Sequence, residues 1–396
     1  MCSQVDSMFS KRTDWKLTPN RFSQAQAELR AGRSEVLDLS VSNPTRSGLQ
    51  LDQDAVLESL RQPEALDYDP QAKGLLSARA AVAHYYKEAH DIYDFDPESL
   101  ILTTSTSEGY SYVFRLLCNP EDEILVPKPS YPLFEFLADL QDVKLAPYPL
   151  LYDEAWQIDF PSLYKAVNHR TRAVVVVHPN NPTGSYASPA ETEALNRLCS
   201  EYNLALIVDE VFLDYSIDGA PRTSFVSNND VLTFTLSGIS KISGLPQMKV
   251  AWVAASGPTD ATRDALGRLE VIADTYLSMN APLQLATPVL LDQRKHFQPL
   301  LLDRIRHNLR ELDLQLARQK TCTRLRVDGG WYAVVRVPVL QSDEELAIDL
   351  LRKMAVLVHP GHFYDFASDG HLVLSLITPS DEFREGVKRV LSLLND

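Results

Sequence analysis

The sequence predicts an α/β protein built on a mostly parallel sheet, with a smaller α+β unit beside it, and three observations predict it. From about residue 50 to about residue 295, helical and strand patterns alternate. Several strand candidates are continuous apolar runs, as expected of strands buried on both faces. After about residue 295 the pattern changes to one long charged helix and several short strands.

Along the chain, residues 1 to about 50 read as irregular, rich in Ser, Asn and Pro, and end in Ser42-Asn43-Pro44-Thr45. Ala78 to Tyr86 has helical spacing, Ile101 to Thr104 reads as a short strand, and Ser107 to Cys118 is helical. Glu123 to Val126 is a strand that leads into a Pro-rich turn. Val174 to Val177 and Leu204 to Val208 are buried-strand runs, separated by a helix from Pro189 to Tyr202. Val231 to Leu236 and Val250 to Ala255 add two more strands. A helix over roughly 297–320 then precedes short strands at 331–337, 356–358 and 372–376.

Composition narrows the function classes. A chain of 396 residues exceeds one ordinary core and favours about two domains. Its net charge of −15 argues against nucleic acid and anionic membrane as partners. Cys2, Cys118, Cys199 and Cys322 form no CxxC pair, so neither a metal site nor a disulfide framework is expected. The start MCSQVDSMFSKRTDW has no apolar core of a secretory signal, and no window approaches 18 uninterrupted apolar residues. A cytoplasmic protein with reduced thiols is the expectation. Neither GxSxG nor GxGxxG follows a strand, which counts against a doubly wound hydrolase or dehydrogenase.

In open α/β sheets, ligands sit where loops leave the carboxyl ends of strands. Three polar motifs fall there: His178-Pro179-Asn180-Asn181-Pro182-Thr183-Gly184, then Asp209-Glu210, then Ser237-Gly238-Ile239-Ser240-Lys241. Each has a bland alternative. Lys241 could be a surface lysine, Asp209 a cap, Asn-Pro-Thr-Gly a plain turn. The order and spacing of HPNNPTG, LIVDEVF and SGISKISGLPQMKVAW, about thirty residues apart, resemble the class I/II aminotransferases. These have fold type I among pyridoxal-5′-phosphate (PLP) enzymes, and the resemblance runs from Ser42 to near the carboxyl terminus.

The resemblance implies a fold-type-I PLP-dependent transferase. Its large PLP-binding domain would span 48–295, with a mostly parallel sheet of the seven-stranded type between helices. A small α+β domain would combine 1–47 with 296–396. Lys241 would hold the cofactor as a Schiff base and move the proton, roles that need an amine neutral near pH 7. Asp209 would pair with the pyridine nitrogen, Asn181 would donate to the phenolic oxygen, and Tyr131 would stack on the ring. Ser105, Thr106 and Ser107, at a helix start, would cradle the phosphate with Ser240 and Lys249, although Ser and Thr there are also ordinary N-caps. Tyr68 would reach the phosphate in a neighbouring subunit, making the active unit a homodimer; otherwise it is a loop aromatic that packs locally.

Three positions depart from the family pattern. Lys249 stands where an arginine is usual, which keeps charge but loses the bidentate fork. Phe212 replaces a tyrosine that would donate to the phenolic oxygen, with Tyr215 a possible substitute donor. Val373 replaces the arginine that clamps the substrate's α-carboxylate, and no arginine lies between His371 and Ser380. Asn43 and Arg46 are therefore the substrate-binding candidates, with Arg336 next. The implied function is transfer of an amino group between an amino acid and a 2-oxo acid. A same-fold lyase, decarboxylase or oxidase is the alternative, and a PLP-binding regulatory module a more distant one.

Overall fold

The computed structural model describes residues 8–31, 36–132 and 134–395. The first seven residues, with Cys2, lie outside them, so the reading of the amino terminus is only partly covered. Fourteen strands occur among the described residues: β1 (Leu37–Asp38), β2 (Leu100–Thr103), β3 (Glu123–Lys128), β4 (Lys144–Asp153), β5 (Ala155–Ile158), β6 (Thr171–Val177), β7 (Ala205–Asp209), β8 (Thr233–Gly238), β9 (Ala251–Ser256), β10 (Thr323–Arg324), β11 (Tyr332–Arg336), β12 (Val356–Leu357), β13 (His359–Pro360) and β14 (His371–Ser375).

Eight of these form one sheet in the order β2-β9-β8-β7-β6-β3-β4-β5. The pairs β3–β4, β3–β6, β6–β7 and β7–β8 are parallel. β9 runs antiparallel to β2 and β8, and β5 folds back on β4. The seven-stranded expectation thus describes β2 through β4, and β5 is added at the edge. With β9 reversed between them, β2 and β8 point the same way. The carboxyl ends of β2, β3, β6, β7 and β8 therefore share one edge with the amino end of β9.

Side-chain alternation along the strands feeds a core on each face. Val174, Val176, Leu206 and Val208 pack with Leu195 and Leu198 of the helix Pro189–Tyr202. Ala173, Val175 and Ile207 pack on the other side with Val113 and Phe114 of the helix Thr106–Leu117. This is why those runs are continuously apolar in sequence.

A further core joins Phe22 and Leu39 to Phe297, Leu301 and Ile305 of the helix Arg294–Leu316, to β11 and β14, and to Phe383 of the last helix. Its antiparallel sheet has the order β10-β11-β14-β13. β1 pairs parallel with β12, and the chain beyond it is pinned to β14: Ser375 N–H donates to Leu39 O at 2.7 Å and Ser375 Oγ to Val41 O at 2.6 Å. That places Ser42 to Arg46 at the entrance to the carboxyl edge.

Two expectations need correction. The first fifty residues are not all irregular: a helix spans Arg21–Ala31. Among its described side chains only Phe22 and Ala25 are fully buried, so its apolar periodicity is too sparse to read. The hairpin β4–β5 escaped notice because β4 contains Pro147 and Pro149 and is mostly half-buried. Those prolines are tolerated because that stretch of β4 pairs only with β3, while β5 pairs with Leu150 to Asp153. No helix among the described residues is long and apolar enough to cross a membrane.

One glycine joins the two parts. Gly184 has φ 70°, and its carbonyl accepts from the N–H groups of Asp328 at 3.2 Å and Gly329 at 2.9 Å. A Cβ on Gly184 would run into the carbonyl of Gly329 and a methyl of Val327. Gly184→Ala is expected to destabilise the protein by more than about 1 kcal/mol, read from the denaturant midpoint, because it adds left-handed strain to a backbone clash. An unchanged midpoint would show that this joint is slack.

Candidate active site

Lys241 sits in a one-turn helix, Ile239–Ile242, directly after β8. The turn starts at Gly238, where a Cβ would lie 2.9 Å from the carbonyl of Val250, so only glycine lets β8 and β9 stay this close. Two side chains then hold the turn from behind. Tyr215 Oη donates to Lys241 O at 2.6 Å, and Gln298 Nε2 donates to Ile242 O at 3.0 Å. The Tyr215 proton is thus committed to the Lys241 backbone, which removes Tyr215 as a substitute donor for the missing tyrosine at Phe212.

The amine of Lys241 donates to Ser42 O at 3.3 Å and lies 4.9 Å from the centre of the Trp331 ring and 5.7 Å from that of Phe212. Burial pushes its pKa down to about 8, partly opposed by the charge of Asp209. Asp209 closes β7. Its Oδ1 accepts from Val211 N at 3.1 Å and its Oδ2 from Tyr110 Oη at 3.1 Å. Burial raises its carboxyl to about 6, against those two donors and Lys241.

Asn180 and Asn181 divide their labour. Asn180 Nδ2 donates to Pro129 O and to Thr183 Oγ1, both at 3.0 Å, tying this loop to the one after β3. Asn181 is buried, and its Oδ1 has no hydrogen-bond partner. His178, in the same motif, accepts from Ala187 N at Nδ1, and burial lowers its pKa to about 4, so it is a neutral packing residue. Tyr131 is about half exposed, and partial burial together with the Asp209 carboxylate pushes its phenol up.

The helix Thr106–Leu117 begins at the carboxyl end of β2 with Ser105 as its N-cap, Ser105 Oγ accepting from Glu108 N at 3.2 Å. Its first-turn amides have no acceptor within the helix, which makes this a natural place for an anion. Thr106, Ser107 and Ser240 are half-buried beside that edge. Lys249 stands just before β9 with φ 51°, exposed and with no ion pair among the described residues.

The remaining candidates are more scattered. Phe212 is buried and packs edge-on against Trp331 at 5.1 Å. Asn43 Oδ1 accepts from Thr45 N and Thr45 Oγ1, and Arg46 is exposed without a partner among the described residues. Val373 is fully buried, opposite Val334 and His359 in the small sheet, and offers no cation at that position. Arg336 is exposed, with its guanidinium 5.8 Å from the centre of the Tyr152 ring. Tyr68 is 84% exposed and lines a cavity of about 660 Å³ that contains none of the residues around Lys241. Sequence reasoning missed Tyr110, which looks like one more core aromatic of its helix, and Trp331. The only signal for Trp331 was the pair Gly329-Gly330 in front of it.

These residues fit PLP: a half-buried amine with a lowered pKa, a half-buried carboxylate with no cation at salt-bridge distance among the described residues, a buried Asn181 amide not fully bonded within the protein, and the start of a helix. The fit has a cost. A carboxyl raised from 3.8 to about 6 is more stable protonated, so Asp209 supports the cofactor-free chain below about pH 4 and withdraws that support as pH rises through 6. Asp209→Asn is expected to remove roughly 1–3 kcal/mol of this loss, read as a flatter dependence of melting temperature on pH in the cofactor-free chain. Glu210, raised to about 7 by burial, keeps a residual slope of the same sign. An unaltered slope in the variant would mean that Asp209 is not under strain.

The chain matches the family model described as aminotransferase class I and II over residues 34–390. It is 26% identical over 372 residues to a glutamate–pyruvate aminotransferase of Haemophilus influenzae, covering 92% of this chain and 91% of that protein. It is 28% identical over 381 residues to an alanine aminotransferase of Mycobacterium bovis, covering 94% and 88%. An S-alkyl-thiohydroximate lyase of Arabidopsis thaliana is 30% identical over 265 residues, 65% of this chain and 56% of that protein. Among solved structures, an alanine aminotransferase of Pyrococcus furiosus shares the fold with a TM-score of 0.87 at 23% identity, covering 98% of this chain and 99% of that one.

Proposed function

The chain belongs to the class I and II aminotransferases, and from that membership we propose which of its residues carry the chemistry and what it acts on. The family depends on PLP, and the chain is an aminotransferase that moves an amino group between an amino acid and a 2-oxo acid. Alanine and glutamate as donors, with pyruvate and the matching 2-oxo acid as acceptors, are the substrates that the relatives' names favour.

One observation carries the assignment of roles. The half-buried Lys241 amine, its pKa lowered to about 8, has no carboxylate at salt-bridge distance among the described residues, on the sheet edge that also carries Asp209 and Asn181. Bound there, PLP supplies a carbonyl carbon that amines condense with and a pyridinium ring that draws electron density from the substrate carbon. Lys241 Nζ would hold the cofactor and, as the released amine, would carry a proton from the substrate α-carbon to the cofactor carbon. The Asp209 carboxylate takes the hydrogen bond of the ring nitrogen, and the Asn181 amide faces the phenolic oxygen. Tyr131 covers the ring, and Phe212 gives an apolar wall where a tyrosine would have donated. Ser105, Thr106, Ser107, Ser240 and Lys249 hold the phosphate.

Tyr68 is assigned to the site of a second copy in a homodimer. Its exposure, and that of Leu66 beside it at 91%, supports this, as does a cavity separate from its own site. A core drawn mostly from 1–47 and 296–396, bridged by Phe212 and Tyr215, and a second from 48–295 support a large domain over 48–295 and a small one from 1–47 and 296–396. The free thiols of Cys118, Cys199 and Cys322 suit a reducing cytoplasm.

Adding amino acids singly to the yellow enzyme tests the reaction. Alanine or glutamate should bleach the visible band, and pyruvate should restore it; ammonia or thiol release without that reversal would favour a lyase. Asn43 and Arg46 are assigned to the substrate, since Val373 cannot hold a carboxylate and Ser42 O touches the Lys241 amine. Arg46→Ala should raise KM for the amino donor roughly tenfold, as loss of a charge-assisted hydrogen bond implies, with cofactor uptake unchanged. An unchanged KM would remove Arg46 from the site.

A further inference from the structure

Resting on the assignment of Lys241 as the cofactor lysine, we infer that Trp331, with Phe212, forms an aromatic seat for the Lys241 amine whenever that amine is free of the cofactor. Trp331 is thereby a positioning residue for proton transfer.

The chemistry demands an unusual neighbour. When the substrate displaces Lys241, Nζ accepts one proton from the substrate α-carbon, whose C–H electron pair stays on the carbon side. The ammonium so formed must then deliver that proton to the cofactor carbon. A carboxylate at contact distance would hold the proton, and water would exchange it. A ring face attracts an ammonium through its quadrupole without accepting the proton. The surroundings of Nζ have this character: the Trp331 ring at 4.9 Å, the Phe212 ring at 5.7 Å and Ser42 O at 3.3 Å. Both rings fall within the distance of about 6 Å over which a cation is attracted.

Trp331 is built into place for its face rather than for its N–H. It is fully buried, yet its indole Nε1 has no hydrogen-bond partner, an arrangement a purely space-filling position would avoid by using an aliphatic residue or phenylalanine. The ring is clamped edge-on between Phe212 at 5.1 Å and Tyr215 at 5.2 Å. Its carbonyl accepts from Leu376 N at 2.8 Å, and Gly330, with φ 78°, donates to Tyr215 O at 3.0 Å. Tyr215 is also the residue that grips Lys241 O. One tyrosine therefore sets both the lysine and its seat, across the joint between the large sheet and the small one.

Other titratable groups around the amine are accounted for. Asp209, at the end of β7, is the one whose charge acts on Lys241, and Tyr110 donates to it from the helix Thr106–Leu117. Glu210 is bound by Ser224 Oγ and Phe225 N, and Asp214 by His90, Tyr85 and Gln298. Tyr215 spends its proton on the lysine carbonyl. None of these offers the ammonium a contact, so the rings and Ser42 O are its near neighbours.

Comparing Trp331→Met with Trp331→Phe tests the ring, since both remove the indole and only phenylalanine keeps a π-face. The full-length chain is loaded with pyridoxamine 5′-phosphate, which leaves Lys241 free, and the amine is titrated by trace acetylation and peptide mass spectrometry. Lys241 should titrate about half a unit or more lower in the methionine variant, and close to the unaltered protein in the phenylalanine variant. In turnover, kcat should fall roughly threefold or more in the methionine variant at unchanged KM for the amino donor, with phenylalanine restoring most of it. Equal titration of Lys241 in the two folded variants would overturn the inference. If the methionine variant does not fold, Phe212→Leu tests the second ring by the same titration, and an unshifted Lys241 there overturns it equally. Failure of the unaltered chain to take up pyridoxamine 5′-phosphate would instead sink the family-based reading on which the inference rests.

Discussion

The site depends on one constraint: the half-buried amine of Lys241 lies beside two ring faces and has no salt bridge among the described residues. Burial alone would neutralise it and a contact carboxylate would fix its proton, so its poise near pH 8 comes from distance to Asp209 and from neighbours that cannot take a proton. The fold supplies that arrangement in layers. β7 and β8 are adjacent and parallel, which brings Asp209 and Lys241 to the same edge. Tyr215 and Gln298 fix the lysine's backbone, and the small sheet delivers Trp331 from the other side.

The two parts of the molecule meet at the same place for the same reason. Ser42 reaches the amine because Leu39 and Val41 are bonded to Ser375 on β14, and Trp331 reaches it because Gly184 and Tyr215 hold Asp328 to Gly330. A shift of the small sheet would therefore move a ring and a carbonyl at Nζ together. Two of the three departures from the family pattern, Phe212 and Val373, fall in the small sheet's core. Phe212 exchanges a hydrogen-bond donor for an apolar face, and Val373 is absorbed into the core of the small sheet. The first change leaves an apolar ring beside Lys241, consistent with a site that relies on ring faces.

Much of this was legible in the sequence because buried parallel strands are written as continuous apolar runs, and the loops after them carry the polar residues. Val174 to Val177 and Leu204 to Val208 could hardly be anything else, and Asn181, Asp209 and Lys241 follow from where those runs stop. The helix Arg21–Ala31 was not legible, because only two of its described side chains are fully buried, nor was β4, whose prolines are allowed only by its one-sided pairing there. Tyr110 and Trp331 were hidden for another reason. A buried aromatic in a helix or strand has the same pattern whether it packs or serves the site, and only the distances to Asp209 Oδ2 and Lys241 Nζ separate the two.

The most direct test of this account is to reduce the PLP-loaded protein with borohydride and find the modified residue by peptide mapping. The account predicts that the label sits on Lys241 alone, and that substituting Lys241 by alanine abolishes both label and turnover. A label on another lysine, such as Lys249, with turnover intact in the alanine variant, would contradict it.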